Sequence, residues 1–231
     1  MAITVVGSIN TDIVAKTNNY PKHGETLFGE SINFFSGGKG ANQATACAKL
    51  GKEVYFIGCV GNDIFGEKLI EEMKSNHINT TFLKKSSRFA TGTAIITIDK
   101  TAENTMLVMK GANDDLNPEF VERAIKSIDD SDFLLIQMEV PEETVIKAME
   151  TGREKGMTII LDPAPAEGIT IRALKYADII LPNLQETRHM SGIEVTNEKS
   201  ALEAAKYFEN MGVSTSIIKM AEKGSLVYHN G

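Results

Sequence analysis

Phe35-Ser36-Gly37-Gly38-Lys39-Gly40-Ala41-Asn42-Gln43-Ala44 joins a strand-like run to a helical pattern, and its reading decides the fold. Three glycines surround one lysine. Glycine lets backbone amides come close to a ligand, and a helix N-terminus presents unsatisfied N–H groups. The spacing is not that of a Walker A loop, since no Ser or Thr follows Lys39, and G-x-G-x-x-G is absent. Two readings stand. One is a plain loop-to-helix turn. In the other, Gly37 and Gly38 leave room for a hydroxylated ligand, with an amide from Asn42 and a cation from Lys39.

Outward from this stretch, short apolar runs alternate with helical patterns, the mark of a parallel sheet covered on both faces. Strands are expected at residues 3–6, 54–60, 133–137, 158–161, 179–181 and 216–219. Helices are expected at 41–50, 64–76, 117–127, 141–155 and 197–211, with Gly51 as a C-terminal cap of the first. Two stretches break the rhythm. Residues 12–17 and 26–35 are strand-like around a turn at Pro21 and Gly24, and 92–109 hold two strand patterns. They suggest a small separate sheet, with Ala94, Ile96 and Ile98 on one face and Thr93, Ile95 and Thr97 on the other. The apolar residues of its second face need cover from substrate, the main domain or a second subunit. Residues 225–229 read as a strand, and Asn230-Gly231 after it is a hairpin signal with no returning strand, so the expectation is a sequence that stops inside a fold.

At 231 residues the chain can bury a full α/β core. Lys and Arg total 24 against 31 Asp and Glu, a formal charge of −7 that argues against nucleic acid or a membrane surface as partner. Cys47 and Cys59 lack metal-ligand spacing and read as two buried, reduced thiols. With no signal-peptide pattern at the N-terminus and no transmembrane run, the expected location is cytoplasmic. The four histidines show no pairing that would make a zinc site or a Ser-His-Asp arrangement.

Other polar residues sit at the carboxyl ends of expected strands, where parallel sheets bind ligands. Asn10 and Asp12 follow the first strand, and an ionised Asp12 suits a pair of sugar hydroxyls or, equally, an Asx-turn. Glu139 follows residues 133–137 and would accept a hydroxyl or simply open the next helix, where an acid favours the dipole. Asn183 and Glu186 fit a helix cap with its capping-box acid. They also fit the water shell of a Mg²⁺ ion, and both readings can hold together.

Taken in order, Gly7-Ser8-Ile9-Asn10-Thr11-Asp12, Gly37-Gly38-Lys39-Gly40-Ala41-Asn42-Gln43, Gly58-Cys59-Val60-Gly61-Asn62-Asp63, Lys110-Gly111-Ala112-Asn113, Asp162-Pro163-Ala164-Pro165 and Leu181-Pro182-Asn183 resemble the ribokinase branch of the PfkB-type carbohydrate kinases. The resemblance implies an α/β three-layer sandwich with a mostly parallel sheet and a small β lid, built from segments 12–35 and 92–109 of a single domain. It implies transfer of the ATP γ-phosphoryl group to a sugar hydroxyl, O5 of ribose in ribokinases. Asn10, Asp12, Gly38, Lys39, Gly40, Ala41, Asn42 and Glu139 would bind the sugar. Asn183, Lys219, Ala221, Glu222 and Gly224 would meet the nucleotide, and Glu186 would act on Mg²⁺ through water. The lid would also build a homodimer, and its closure would exclude water from the transfer.

Two departures from the family's pattern stand out. Lys219-Met220-Ala221 replaces a Thr-Leu-Gly, so Lys219 either pairs with phosphate or, as a long cation in place of a small hydroxyl, changes the nucleotide contacts, and Ala221 tolerates fewer backbone conformations than glycine. The Asp-Thr-x-Gly-Ala-Gly-Asp motif that should follow Gly224 is absent. It would carry the catalytic aspartate and the anion hole, in the part of the family's fold that also holds a monovalent-cation (K⁺) site. The expectation is a truncated chain with no catalytic residue of its own and little activity. Fructose, 2-keto-3-deoxygluconate or a nucleoside as acceptor, or a non-catalytic sugar-binding protein, are the alternatives.

Overall fold

A computed structural model describes residues 1–166 and 170–231. Eight strands form the main sheet, in the order β12 (Ser225–His229), β11 (Thr215–Lys219), β10 (Ile179–Ile180), β9 (Thr158–Leu161), β8 (Phe133–Ile136), β1 (Ala2–Val6), β4 (Glu53–Gly61) and β5 (Leu83–Ser86). All pairings are parallel except β11 with β12. The chain winds one way from β1 through β4 to β5, then crosses back to β8 and runs on to β11. The topological switch point therefore lies between β1 and β8, where such sheets bind their ligands.

Alternation along the strands feeds two cores. Val5 and Phe56 point to the face covered by α1 (Lys39–Lys49) and α2 (Ile64–Ser75). Val6, Ile57, Leu134 and Ile136 point to the other face, under α3 (Pro118–Lys126), α4 (Glu142–Glu154), α5 (Leu184–Ser191) and α6 (Glu198–Asn210). The result is three layers, helix on sheet on helix. On the α1 face the cover thins towards β12. Ile160, Ile179 and Ile217 are only partly buried there, and Val227, paired with Ile217, is exposed. No helix among the described residues is long and apolar enough to cross a membrane.

A second sheet has the order β3 (Ser31–Gly37), β2 (Asn10–Lys16), β6 (Gly92–Ile98) and β7 (Asn104–Met109). Residues 26–30, expected to extend β3, lie outside it, and the strand begins at Ser31. Asp12 pairs with Phe35 on one side and Ala94 on the other, so the three share a face with Ile96, Met106 and Val108. Ile13, Phe34, Ile95 and Leu107 take the opposite face. Phe34, Phe35, Met106 and Leu107 are each more than half exposed, so neither face is sealed. Phe34 stacks on Phe65 of α2 at 6.0 Å, which seats this sheet against the main domain.

Candidate active site

The Gly7–Asn10 turn leaves β1 at the switch point, and α1 abuts it. A Cβ at Gly38 would lie 2.8 Å from Ile9 Cα, and one at Gly40 2.8 Å from Gly7 Cα, so both glycines are required by this close approach. Gly38 also has φ of 89°, a region that disfavours other residues. The first N–H groups of α1 are all taken by the protein. Lys39 N donates to Glu139 Oε2 at 3.1 Å, Gly40 N to Ser8 Oγ at 3.4 Å, and Ala41 N to the Ser8 carbonyl at 2.9 Å. A helix N-terminus spent in this way is not a phosphate cradle. Its work is to lock the turn after β1 to the residues after β8.

Ser8 closes that lock by donating to Glu139 Oε2 at 2.5 Å, directly across the switch point. Lys39 Nζ stands 3.9 Å from Glu139 Oε1. Asp12 faces the same space. A Cβ at Gly37 would sit 2.2 Å from Asp12 Oδ1, so that glycine seats the carboxylate. Burial, and then the nearby Glu139 charge, hold the Asp12 carboxyl above its ordinary value. Asn42 is exposed on the first turn of α1. Asn10 is buried, its Oδ1 taken by Asn113 Nδ2 at 2.7 Å. The mouth therefore offers carboxylate acceptors, amides and one ammonium, a set suited to neighbouring hydroxyls.

The second half of the site lies along the carboxyl ends of β9 to β11. Asn183 caps α5, taking Glu186 N at 2.8 Å, while Glu186 Oε2 takes Asn183 N at 2.7 Å. Glu186 is 3% exposed, and burial raises its pKa against the lowering effects of the Asn183 N–H bond and the Lys219 charge. Lys219 Nζ pairs with Asp162 Oδ1 at 3.1 Å, and Gln43 of α1 donates to Asp162 Oδ2 at 2.8 Å. Gln137 in turn donates to Gln43 Oε1. This chain of side chains ties the two halves together. Asn183, Lys219 and Ala221 line one open cavity of about 250 Å³ with Leu184 and Gln185.

Residues 2–231 match the model of the pfkB family carbohydrate kinases. The chain belongs to this family. The ribokinase of Haemophilus influenzae is 38% identical over 99% of this chain and 75% of that protein. The deoxyribokinase of Salmonella typhi is 37% identical over 98% of this chain and 74% of that one. A solved structure of Arabidopsis thaliana ribokinase complexed with ribose and ATP has a TM-score of 0.88 at 28% identity, covering 100% of this chain and 75% of that one.

In this carbohydrate kinase, Asn10, Asp12, Gly38, Lys39, Gly40, Ala41, Asn42 and Glu139 meet around the switch point, although the Gly40 and Ala41 amides face Ser8. Asn183, Glu186, Lys219 and Ala221 gather at the neighbouring strand ends. Glu222 and Gly224 belong to the turn between β11 and β12, where Met220 N donates to the Gly224 carbonyl at 2.7 Å. Lys219 is held by Asp162, a partly exposed ammonium beside a more buried carboxylate. Ser8, Gln43, Asp162 and Asn113 also join this network, and nothing in the sequence marks them individually beyond their places inside the glycine-rich and proline-rich motifs.

Proposed function

We propose that this kinase transfers the γ-phosphoryl group of ATP to a pentose, with ribose at O5 as the acceptor. The observation that carries this is the Ser8–Glu139 bond across the switch point, which occupies the first α1 amides within the protein, so that Asp12, Asn10, Asn42 and Lys39 would be the groups offered to a hydroxyl-bearing ligand. Likeness to a ribokinase complexed with ribose and ATP supports the reading. The nucleotide would lie along Asn183, Lys219, Ala221, Glu222 and Gly224. Glu186 commits Oε2 to its cap, so a Mg²⁺ ion would be met through water by its other oxygen. Mg²⁺ would neutralise phosphate charge during transfer. The second sheet would act as the lid over the sugar and as the contact between two subunits.

The 231 residues hold no Gly-Ala-Gly-Asp motif, so by themselves they would bind sugar and transfer phosphoryl poorly. A second acceptor, 2-deoxyribose, is favoured by the likeness to a deoxyribokinase. Calorimetric titration of the chain with ribose, 2-deoxyribose and fructose, alongside an ADP-release assay with MgATP, tests these statements. Binding of ribose ahead of fructose with little turnover is the expected result. No binding of any of the three sugars would overturn the acceptor-site reading, and turnover at ordinary kinase rates would overturn the expectation of poor transfer.

A further inference from the structure

Asn113 closes the segment Lys110-Gly111-Ala112-Asn113 and sits in a 3-10 turn, Gly111–Asp115, just past β7. It is 1% exposed, and both ends of its side-chain amide are committed. Oδ1 accepts from Ile9 N at 2.9 Å. Nδ2 donates to Asn10 Oδ1 at 2.7 Å and to the Lys110 carbonyl at 2.9 Å, with the Ile9 carbonyl at 3.3 Å. Turning the amide over would set an NH₂ against an N–H and an oxygen against three oxygens. Its orientation is therefore fixed by the backbone around it.

That orientation passes to Asn10. With Oδ1 held by Asn113, the end of Asn10 left to the site is Nδ2, a donor. Asp12, two residues along the same face of β2, offers only acceptors when ionised. Gly92 is shaped to the same pair. A Cβ there would stand 2.2 Å from Asn10 Oδ1 and 2.3 Å from Asn113 Nδ2, so no side chain fits beside them.

We propose that Asn113 is a positioning residue for the acceptor sugar, fixing Asn10 as a hydrogen-bond donor beside the acceptor Asp12. A donor and an acceptor side by side match two adjacent hydroxyls, one accepting from Asn10 and the other donating to Asp12. Asn113 reaches the sugar only through Asn10. The inference rests on the sugar-site reading above.

The test is a double-mutant cycle on D-ribose affinity, measured by calorimetry on the 231-residue chain without nucleotide. N10A and N113A should each weaken binding by about fivefold or more, and N10A/N113A should be no weaker than N10A within about twofold. A purely structural role would instead add its loss on the N10A background, and that additivity overturns the proposal. So does N113A binding ribose as the wild type does. Loss of all ribose binding in the wild type would overturn the sugar-site reading and this inference with it, a result distinct from an unchanged N113A. Should N113A fail to fold, side-chain amide NMR on the wild-type chain decides. The Asn113 NH₂ protons should exchange slowly and keep their shifts, while those of Asn10 move on saturation with ribose. An unmoved Asn10 NH₂ signal at saturation overturns the proposal.

Discussion

Lys219 Nζ lies 3.1 Å from Asp162 Oδ1, while the other oxygen of that carboxylate takes the side-chain amide of Gln43. One acid thus serves both halves of the site. Gln43 follows Asn42 on α1, so Asp162 steadies the turn that presents Asn42. Lys219 is nearly half exposed and adds little to that work. Replacing Asp162 by alanine should weaken ribose binding by roughly threefold to tenfold, the worth of one buried hydrogen bond. Replacing Lys219 by threonine should leave ribose affinity within about twofold and stability within about 1 kcal/mol. Calorimetric titration of both variants checks this, and equal losses would contradict the division of labour.

The state of Asp12 sets a pH dependence. Burial and the Glu139 charge raise its native pKa above the ordinary 3.8, so the folded state keeps a proton that the unfolded chain has lost. Across that window the native state binds more protons, and stability falls as pH rises. The contribution of Asp12 is full below the ordinary value and is gone above the raised one. D12N should therefore be as stable as the wild type at neutral pH or more so, with a flatter stability profile through the window. Its ribose binding should drop sharply, because an amide offers fewer acceptor sites. Thermal melts over a pH series, paired with titration at pH 7, read both effects. A D12N chain less stable at neutral pH would contradict the burial argument.

Ala221 has φ of 52°, in the left-handed region, within the tight turn between β11 and β12. An L-residue there carries about 1–2 kcal/mol of strain. Glycine removes it but gives back roughly 0.5–1 kcal/mol in unfolded-state entropy. A221G should gain about 0.5–1 kcal/mol, a rise of roughly 1–4 °C in Tm for a chain of this size. A fall in Tm measured by calorimetry would count against this backbone geometry.

These residues also show what the sequence could and could not carry. The β/α alternation, the switch between sheets and the glycine loops are local patterns, and strands such as Thr158–Leu161 fall where periodicity puts them. β5, Leu83–Ser86, carries no strand pattern in the sequence because Lys84 and Lys85 break its apolar run. The Gln43–Asp162 bond joins residues 119 apart in sequence, and Asn113 meets Ile9 across 104. Nothing local signals such partners, since the fold alone brings them together. Lys219 could be read as a cation from its type, but its pairing required the position of the residue after β9, two strands away across β10.

The second sheet gives a paired prediction from two adjacent residues. Met106 and Leu107 are both more than half exposed, yet alternation sends them to opposite faces. Met106 shares its face with Asp12 and Val108, and Leu107 shares its own with Ile13 and Ile95. If Leu107's side meets a second copy while Met106's side closes on sugar, a charge has different effects at the two positions. L107K would bury an unpaired ammonium between subunits, and should yield a monomer by sedimentation where the wild type is expected to sediment as a dimer. M106K should keep the wild-type mass but weaken ribose binding, because the charge lies on the Asp12 face, the one proposed to cover the sugar. Neither change should lower the stability of the isolated fold by more than about 1 kcal/mol, as exposed positions tolerate substitution. A wild-type chain that sediments as a monomer at tens of micromolar, or an L107K dimer, would rule out this face as the contact.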